Sequence, residues 1–190
     1  NISENPCIAI DSEDHIRLTW IERIAVQLDY DIYFKRSQDT GTTWSGPTRL
    51  TWNGDSQSPN IAINSNKVIF IAWYDHTPGN DEIYFKKSQD GGLSWSQSNR
   101  LTWNSGNSES PDLAVDSNNK IHITWFDSTS GTRNIYYKNS TNAGNTWSSL
   151  TQLTWTSLLY YHPAIAVDST NKIFIVFSDA SDIYVKIGTQ

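Results

Sequence analysis

SQDGGLSW, Ser88 to Trp95, packs a carboxylate, a glycine pair, a hydroxyl and a tryptophan into one octet. The chain repeats it as SQDTGTTW (Ser37–Trp44) and, altered, as STNAGNTW (Ser140–Trp147). Physically, the octet reads as a hairpin turn. Gly92 supplies a positive φ at low cost. Asp90 accepts hydrogen bonds from the turn's own amides, Ser88 and Ser94 do likewise from either side, and Trp95 folds its ring onto the strands. Asp39, Gly41 and Trp44 fill the same roles. In the third copy Asn142 replaces the aspartate while Gly144 and Trp147 remain. An amide keeps acceptor geometry but cannot act as a general base, which favours a structural turn over a catalytic motif. Three oxygen-bearing side chains also fall short of the roughly 6–8 oxygen ligands of a calcium site.

The repetition continues on both sides of the octet. NPCIAIDS, SPNIAINS, SPDLAVDS and HPAIAVDS carry Pro6, Pro59, Pro111 and Pro163, at spacings of 53, 52 and 52 residues. IRLTW, IFIAW, IHITW and IFIVF follow, then DIYFKRS, EIYFKKS, NIYYKNS and DIYVKIG. Each unit holds four runs rich in Ile, Val, Phe, Tyr, Trp and Thr: A (Asn60–Asn64 in unit two), B (Lys67–Asp75), C (Asp81–Ser88) and D (Leu93–Asn104). Asn, Asp, Ser and Gly separate them, and no segment shows a helical period. Run B is apolar from Val68 to Trp73, as a strand covered on both faces reads. Four-stranded units of this length, each covered by its neighbours, describe an all-β propeller of antiparallel blades. A β-sandwich is the rival, but it does not require a strict long repeat. The expectation is one domain over 1–190 with blades at about 6–58, 59–110, 111–162 and a partial fourth at 163–190, which lacks its octet and D run.

At the octets the sequence resembles the Asp-box, or BNR repeat, of the sialidase-like superfamily, Ser-x-Asp-x-Gly-x-Thr-Trp. Ser37–Trp44 and Ser88–Trp95 fit it, with Ser94 for the usual Thr, and Ser140–Trp147 fits in part. The resemblance covers the whole chain. It implies propeller blades whose boxes are turns on the face opposite the active site. It also implies, for a sialidase, a three-arginine clamp, a Tyr nucleophile paired with a Glu, an Asp acid/base and an Arg-Ile-Pro signature. This sequence has no such signature. Its arginines are Arg17, Arg23, Arg36, Arg49, Arg100 and Arg133. Arg49 and Arg100 share one repeat position in run D and read as edge-strand charges, so no catalytic residue is carried over.

Composition narrows the classes. With 20 acidic and 14 basic residues the formal charge is −6, which argues against a nucleic-acid partner. No run approaches the roughly 18 apolar residues of a membrane helix. One cysteine, Cys7, excludes an internal disulfide, and scattered His15, His76, His122 and His162 read as loop or surface residues, so no metal and no cofactor is expected. The chain lacks methionine, including a starting one, which reads as a processed or excised segment. Family habit implies an extracellular or cell-surface setting; Asn1-Ile2-Ser3 and Asn139-Ser140-Thr141 are formal glycosylation sequons, of a kind short enough to arise by chance.

Function is expected on the face of the B–C and D–A loops. Asp75, Asp81, Glu82, Asp127 and Arg133, with Trp73 and Trp125, are the candidate ligand-binding residues, suited to sugar hydroxyls and sugar faces. The alternative is that Asp75 and Asp127 cap their loops and the Trp rings are core. Two loops are apolar instead: Ile24, Val26 and Leu28 in unit one, and Leu158, Leu159, Tyr160 and Tyr161 before unit four. They are candidates for self-association or for contact with remaining blades of a longer chain. The leading reading is a non-catalytic carbohydrate-recognition module. The alternatives are a piece of a sialidase-like glycoside hydrolase and a self-assembling scaffold.

Overall fold

The computed structural model describes residues 2–23, 30–52, 55–155 and 159–188. Among them the chain forms fifteen strands and no helix. Sheet one holds β1 (Ser3–Ile10), β2 (Ile16–Arg23), β3 (Tyr30–Ser37) and β4 (Thr48–Arg49). Sheet two holds β5 (Ser56–Ile63), β6 (Ile69–Asp75), β7 (Glu82–Ser88) and β8 (Asn99–Arg100). In sheet three are β9 (Ser108–Val115), β10 (Ile121–Asp127), β11 (Asn134–Ser140) and β12 (Thr151–Gln152). Sheet four has β13 (Tyr161–Val167), β14 (Ile173–Ser178) and β15 (Ile183–Gly188). Strands pair antiparallel in chain order within each sheet.

The A–B turns show why the units repeat. Asn64 Oδ1 accepts from Asn66 N and Val68 N, and Asp116 Oδ1 accepts from Asn118 N and Lys120 N. Asp11 and Asp168 do the same in the outer units. Each side chain replaces backbone partners the tight turn cannot supply.

Sheets stack side by side, with the inner strands β1, β5, β9 and β13 in successive contact. Three apolar layers fill the interfaces. Ile21, Ile32 and Phe34 meet Ile61 and Trp73; Phe70, Ile83 and Phe85 meet Leu113 and Trp125; Phe126 and Ile135 meet Ile165 and Phe177. Strand β10, covered on both faces, is buried at every position, whereas β2 and β14 alternate. The uncovered faces are opposite ones. On sheet one Ile8 is 58% exposed, while its repeat counterparts Ile61, Leu113 and Ile165 are buried. On sheet four Ile183 is 79% exposed, while Ile32, Ile83 and Ile135 are fully buried.

Each inner strand carries the same bulge. Register slips at Glu4/Cys7, Gln57/Asn60, Thr124/Phe126 (opposite β9) and Tyr161/Ala164. The residue before the proline is left-handed every time: Asn5 (φ 49°), Ser58 (48°), Ser110 (52°) and His162 (48°). Proline has no N–H to give the ladder, so the extra residue falls where a bond is already missing.

The octets are turns, and in the second and third the glycine and tryptophan also act between sheets. Asp90 Oδ1 accepts from Leu93 N (3.0 Å) and Ser94 N (2.9 Å), and Ser88 Oγ donates to Asp90 (2.8 Å) while accepting from Gly92 N (2.8 Å). Asp39 is held the same way, and these bonds lower its carboxyl to about 2, the Thr43 hydroxyl contributing most. Asn142 Oδ1 accepts from Thr146 N, while its Nδ2 donates to Thr146 Oγ1 (2.7 Å). Trp95 reaches beyond its own turn. Its ring lies edge-on to Phe34 of the preceding sheet (5.0 Å, 74°), as Trp147 does to Phe85. A Cβ on Gly92 would sit 2.3 Å from Phe34 Cε1, so this glycine serves close approach as well as its φ of 89°.

Three expectations are corrected by the packing. Run D is a strand for two residues only, because Thr51, Thr102 and Thr154 hydroxyls take over as acceptors for Ile32 N, Ile83 N and Ile135 N. Arg49 and Arg100 are not edge guards: each pairs with a buried carboxylate of its own C strand, Asp31 and Glu82 (2.8 Å for the latter). His122 is no surface histidine. It is fully buried, with Nδ1 2.6 Å from the Tyr137 hydroxyl and Nε2 3.3 Å from Asp116, and burial lowers its pKa.

Candidate functional site

The B–C and D–A loops share one face and are sewn together. His76 N donates to Asp55 O, Ser108 N to Asp81 O (2.7 Å) and Ser128 N to Asn107 O (3.0 Å). Most of the residues expected to bind ligand take part in this sewing. Asp75 accepts from Ser56 Oγ (2.7 Å) and Thr77 N (2.9 Å), and Asp127 from Ser108 Oγ (2.6 Å) and Thr129 N (2.8 Å). Both are buried, as loop caps must be. Glu82 is buried against Arg100 and Asn80. Trp73 and Trp125, each 1% exposed, are core, stacked on Tyr84 and Tyr136, so neither ring offers a face to a sugar. Arg133 lies over the rings of Phe126 (4.7 Å) and Tyr161 (4.8 Å). Of the apolar loop before sheet four, Tyr160 is core against Phe177 and Tyr184, Tyr161 packs on Phe126, and Leu159 is exposed. Ile24, Val26, Leu28 and Leu158 lie outside the described residues.

Asp81 and Arg133 both act through their charge on Glu109. Glu109 stands on β9 beside the bulge residue Ser110, at the repeat position of Glu4, Gln57 and Tyr161. Burial raises the Glu109 carboxyl above the ordinary range, the charge of Asp81 raises it further, and Arg133 pulls the other way. Tyr74, which donates to Gln57 Oε1 (3.0 Å), is pushed up to about 12 by burial and then by Glu109 and Asp81. His76 Nδ1 lies 3.0 Å from Asp81. Two carboxylates, a tyrosine and a histidine thus lie close together between sheets two and three.

The four bulges enclose an open cavity of about 570 Å³, lined by all four inner strands. Its polar wall is Asn60 and Asp112, which are hydrogen-bonded to each other. Asn60 Oδ1 also accepts from Leu113 N (3.2 Å), and Asp112 Oδ2 from Ile165 N (2.6 Å). Each side chain thereby bridges to the next inner strand. Burial holds the Asp112 carboxyl above its usual range. The sequence signal was the residue after each repeat proline, Cys7, Asn60, Asp112 and Ala164, polar only in the middle units. Among the described residues no cluster of three or more His, Cys, Asp or Glu is placed to hold a metal ion.

Residues 1–181 match the profile of the BNR repeat-like domain. The chain belongs to the BNR repeat-like family. No curated protein matches its sequence. Solved structures share the fold at low identity. A protein of unknown function from Dyadobacter fermentans superposes with a TM-score of 0.77 at 12% identity, covering 97% of this chain and 60% of its own. An α-L-arabinofuranosidase of Fusarium graminearum in complex with arabinobiose gives 0.75 at 15%, with 99% and 63% covered. A Hadza microbial sialidase gives 0.74 at 13%, with 98% and 44% covered. The chain thus spans about three fifths of the length of the first two. Such identities carry the propeller fold alone.

Four arginines of this BNR chain are engaged within the fold. Arg17 is buried and donates to Ser37 O (3.2 Å), Arg36 donates to Gly91 O (2.9 Å), and Arg49 and Arg100 serve the outer ion pairs. Arg133 is the one whose charge reaches Glu109.

Proposed function

We propose that this BNR propeller chain recognises carbohydrate at its axis, with Glu109, Asp81 and Tyr74 at the mouth and Asn60 and Asp112 on the wall below. The observation carrying this reading is the open cavity of about 570 Å³ on which hydrogen-bonding groups of successive inner strands converge. Its volume falls within the range of small-molecule sites, and its donors and acceptors suit hydroxyl-rich rings. The arabinofuranosidase and sialidase of like fold support the ligand class. Titration calorimetry of the chain against arabino- and sialo-oligosaccharides tests it. Binding should weaken about tenfold or more in Glu109→Gln and Asp112→Asn. Equal binding by both variants, or none by the folded parent, rules the axis out.

A hydrolytic reading comes second. Glycosidases pair two carboxyl groups, one kept protonated by its surroundings. Glu109, raised by burial and by Asp81, fits the protonated member. Release of nitrophenol from aryl arabinofuranosides or sialosides, abolished in Glu109→Gln, would establish it. A blank assay with intact binding leaves recognition.

A further inference from the structure

Leu-Thr-Trp ends the outer strand of three successive sheets, as Leu50–Trp52, Leu101–Trp103 and Leu153–Trp155. Within each triplet the threonine hydroxyl is consumed by the C strand. The tryptophan is thrown outward instead: Trp52 is 68% exposed, Trp103 68% and Trp155 71%. A single exposed indole needs no explanation, but the same exposure at one repeat position in three sheets does.

A lysine of the next sheet accompanies every one of these rings. Lys86, Lys138 and Lys186 place Nζ 5.5, 6.0 and 5.2 Å from the centroids of Trp52, Trp103 and Trp155. Lys86 Nζ donates to Leu50 O (2.6 Å) and Lys138 Nζ to Leu101 O (2.9 Å). These bonds tether Lys86 and Lys138, and at Trp103 the Arg100 guanidinium lies over the ring as well, 5.9 Å from its centroid. Beside Trp52 runs a groove of about 340 Å³ whose lining includes Tyr84, Thr77 and Ser98. Beside Trp155 lies its counterpart of about 300 Å³, floored by Phe177 and Tyr184. Trp125 and Tyr136 are the equivalent stacked pair of sheet three.

We propose that these outer grooves are a repeated glycan-binding site, each seating one ring of a neutral oligosaccharide against an open indole face. A sugar ring has an apolar C–H face and a polar rim. The groove offers an aromatic plane, with hydroxyls at its edge. Small, separate grooves suit single rings better than one broad protein interface, which needs a contiguous patch. A formal charge of −6, with Lys86 and Lys138 already bonded to carbonyls, disfavours a polyanion. Equivalent sites on successive sheets would hold one chain with avidity beyond any single groove. The ligand class is that of the axial reading, but no residue is shared with it.

The test titrates the 190-residue chain with neutral arabino-, xylo- and cello-pentaoses, following heat and acrylamide quenching of tryptophan. Sugar should protect the exposed indoles from quencher in the parent and equally in Glu109→Gln/Asp112→Asn. Affinity should fall two- to threefold in Trp103→Ala and tenfold or more in Trp52→Ala/Trp103→Ala/Trp155→Ala. Should the triple variant fail to fold, protection in the parent and the loss in Trp103→Ala decide. Absence of protection by all three sugars, a folded triple variant that binds as the parent does, or capture of apolar peptides without sugars overturns the proposal.

Discussion

Asp90 holds the turn between β7 and β8 through both carboxylate oxygens, taking the amides of Leu93 and Ser94 on Oδ1 and the Ser94 hydroxyl on Oδ2. The third repeat solves the same problem with Asn142, whose amide nitrogen donates to Thr146 Oγ1. Asp90→Asn should therefore keep most of the stability that Asp90→Ala loses, measured as thermal midpoints at pH 7. Charge is the remaining difference. Asp39 sits at about 2 against an ordinary 3.8, so its bonds stabilise the fold above pH 4 and are lost as pH falls toward 2. His122 works at higher pH. Its folded pKa lies below 6.5 because burial disfavours the imidazolium, so the unfolded chain takes up protons first as pH drops below 6.5. Stability should decline between pH 7 and pH 5, with a shallower slope in His122→Gln; an identical slope in the variant counts against it. Glu109 has the opposite sign. Its raised pKa makes the ionised form the costly one, so Glu109→Gln should stabilise at pH 7 and be neutral below pH 4.5. The sequence showed these groups but not their surroundings: His122 occupies a strand position that only burial on both faces turns into a titrating core residue.

At the scale of the element, the outer strands show one interaction in two chemistries. Asp31 with Arg49 and Glu82 with Arg100 are ion pairs, whereas unit three has Asn134 and Gln152 at those places. Arg100→Gln alone leaves the buried Glu82 carboxylate without its cation and should cost about 3 kcal/mol. Glu82→Asn/Arg100→Gln copies unit three and should recover most of that loss in denaturant melts. If the double variant is no better than the single, the pair is not the source of the cost. Gly92→Ala should cost about 1–3 kcal/mol, since the new methyl meets Phe34. Shrinking that neighbour in Gly92→Ala/Phe34→Leu should return part of it. The octet's glycine could be read as a turn residue from its neighbours alone. Its second duty, making room for a ring some 58 positions earlier, belongs to the contact between sheets.

For the whole molecule, the two bare faces are complementary by descent from one repeat. Ile183 and Val185 expose what Ile83 and Phe85 bury, and Ile8 exposes what Ile61 buries. We expect the isolated chain to associate through them, with Ile8→Asp/Val185→Asp returning the light-scattering mass to 21.6 kDa. A parent already at that mass, without binding an apolar dye, counts against it. The spacing of Pro6, Pro59, Pro111 and Pro163 and the three octets were enough to determine the repeat, the strands and the propeller class, because each unit carries its own turn chemistry and apolar pattern. Tertiary structure alone decided which tryptophans are buried and which are offered to solvent. Trp73 and Trp52 look equally aromatic in the sequence, yet one lies within a strand pressed between two sheets and the other follows a short outer strand. Neither fate is local, because burial depends on the sheet that packs alongside, contributed by residues about fifty positions away.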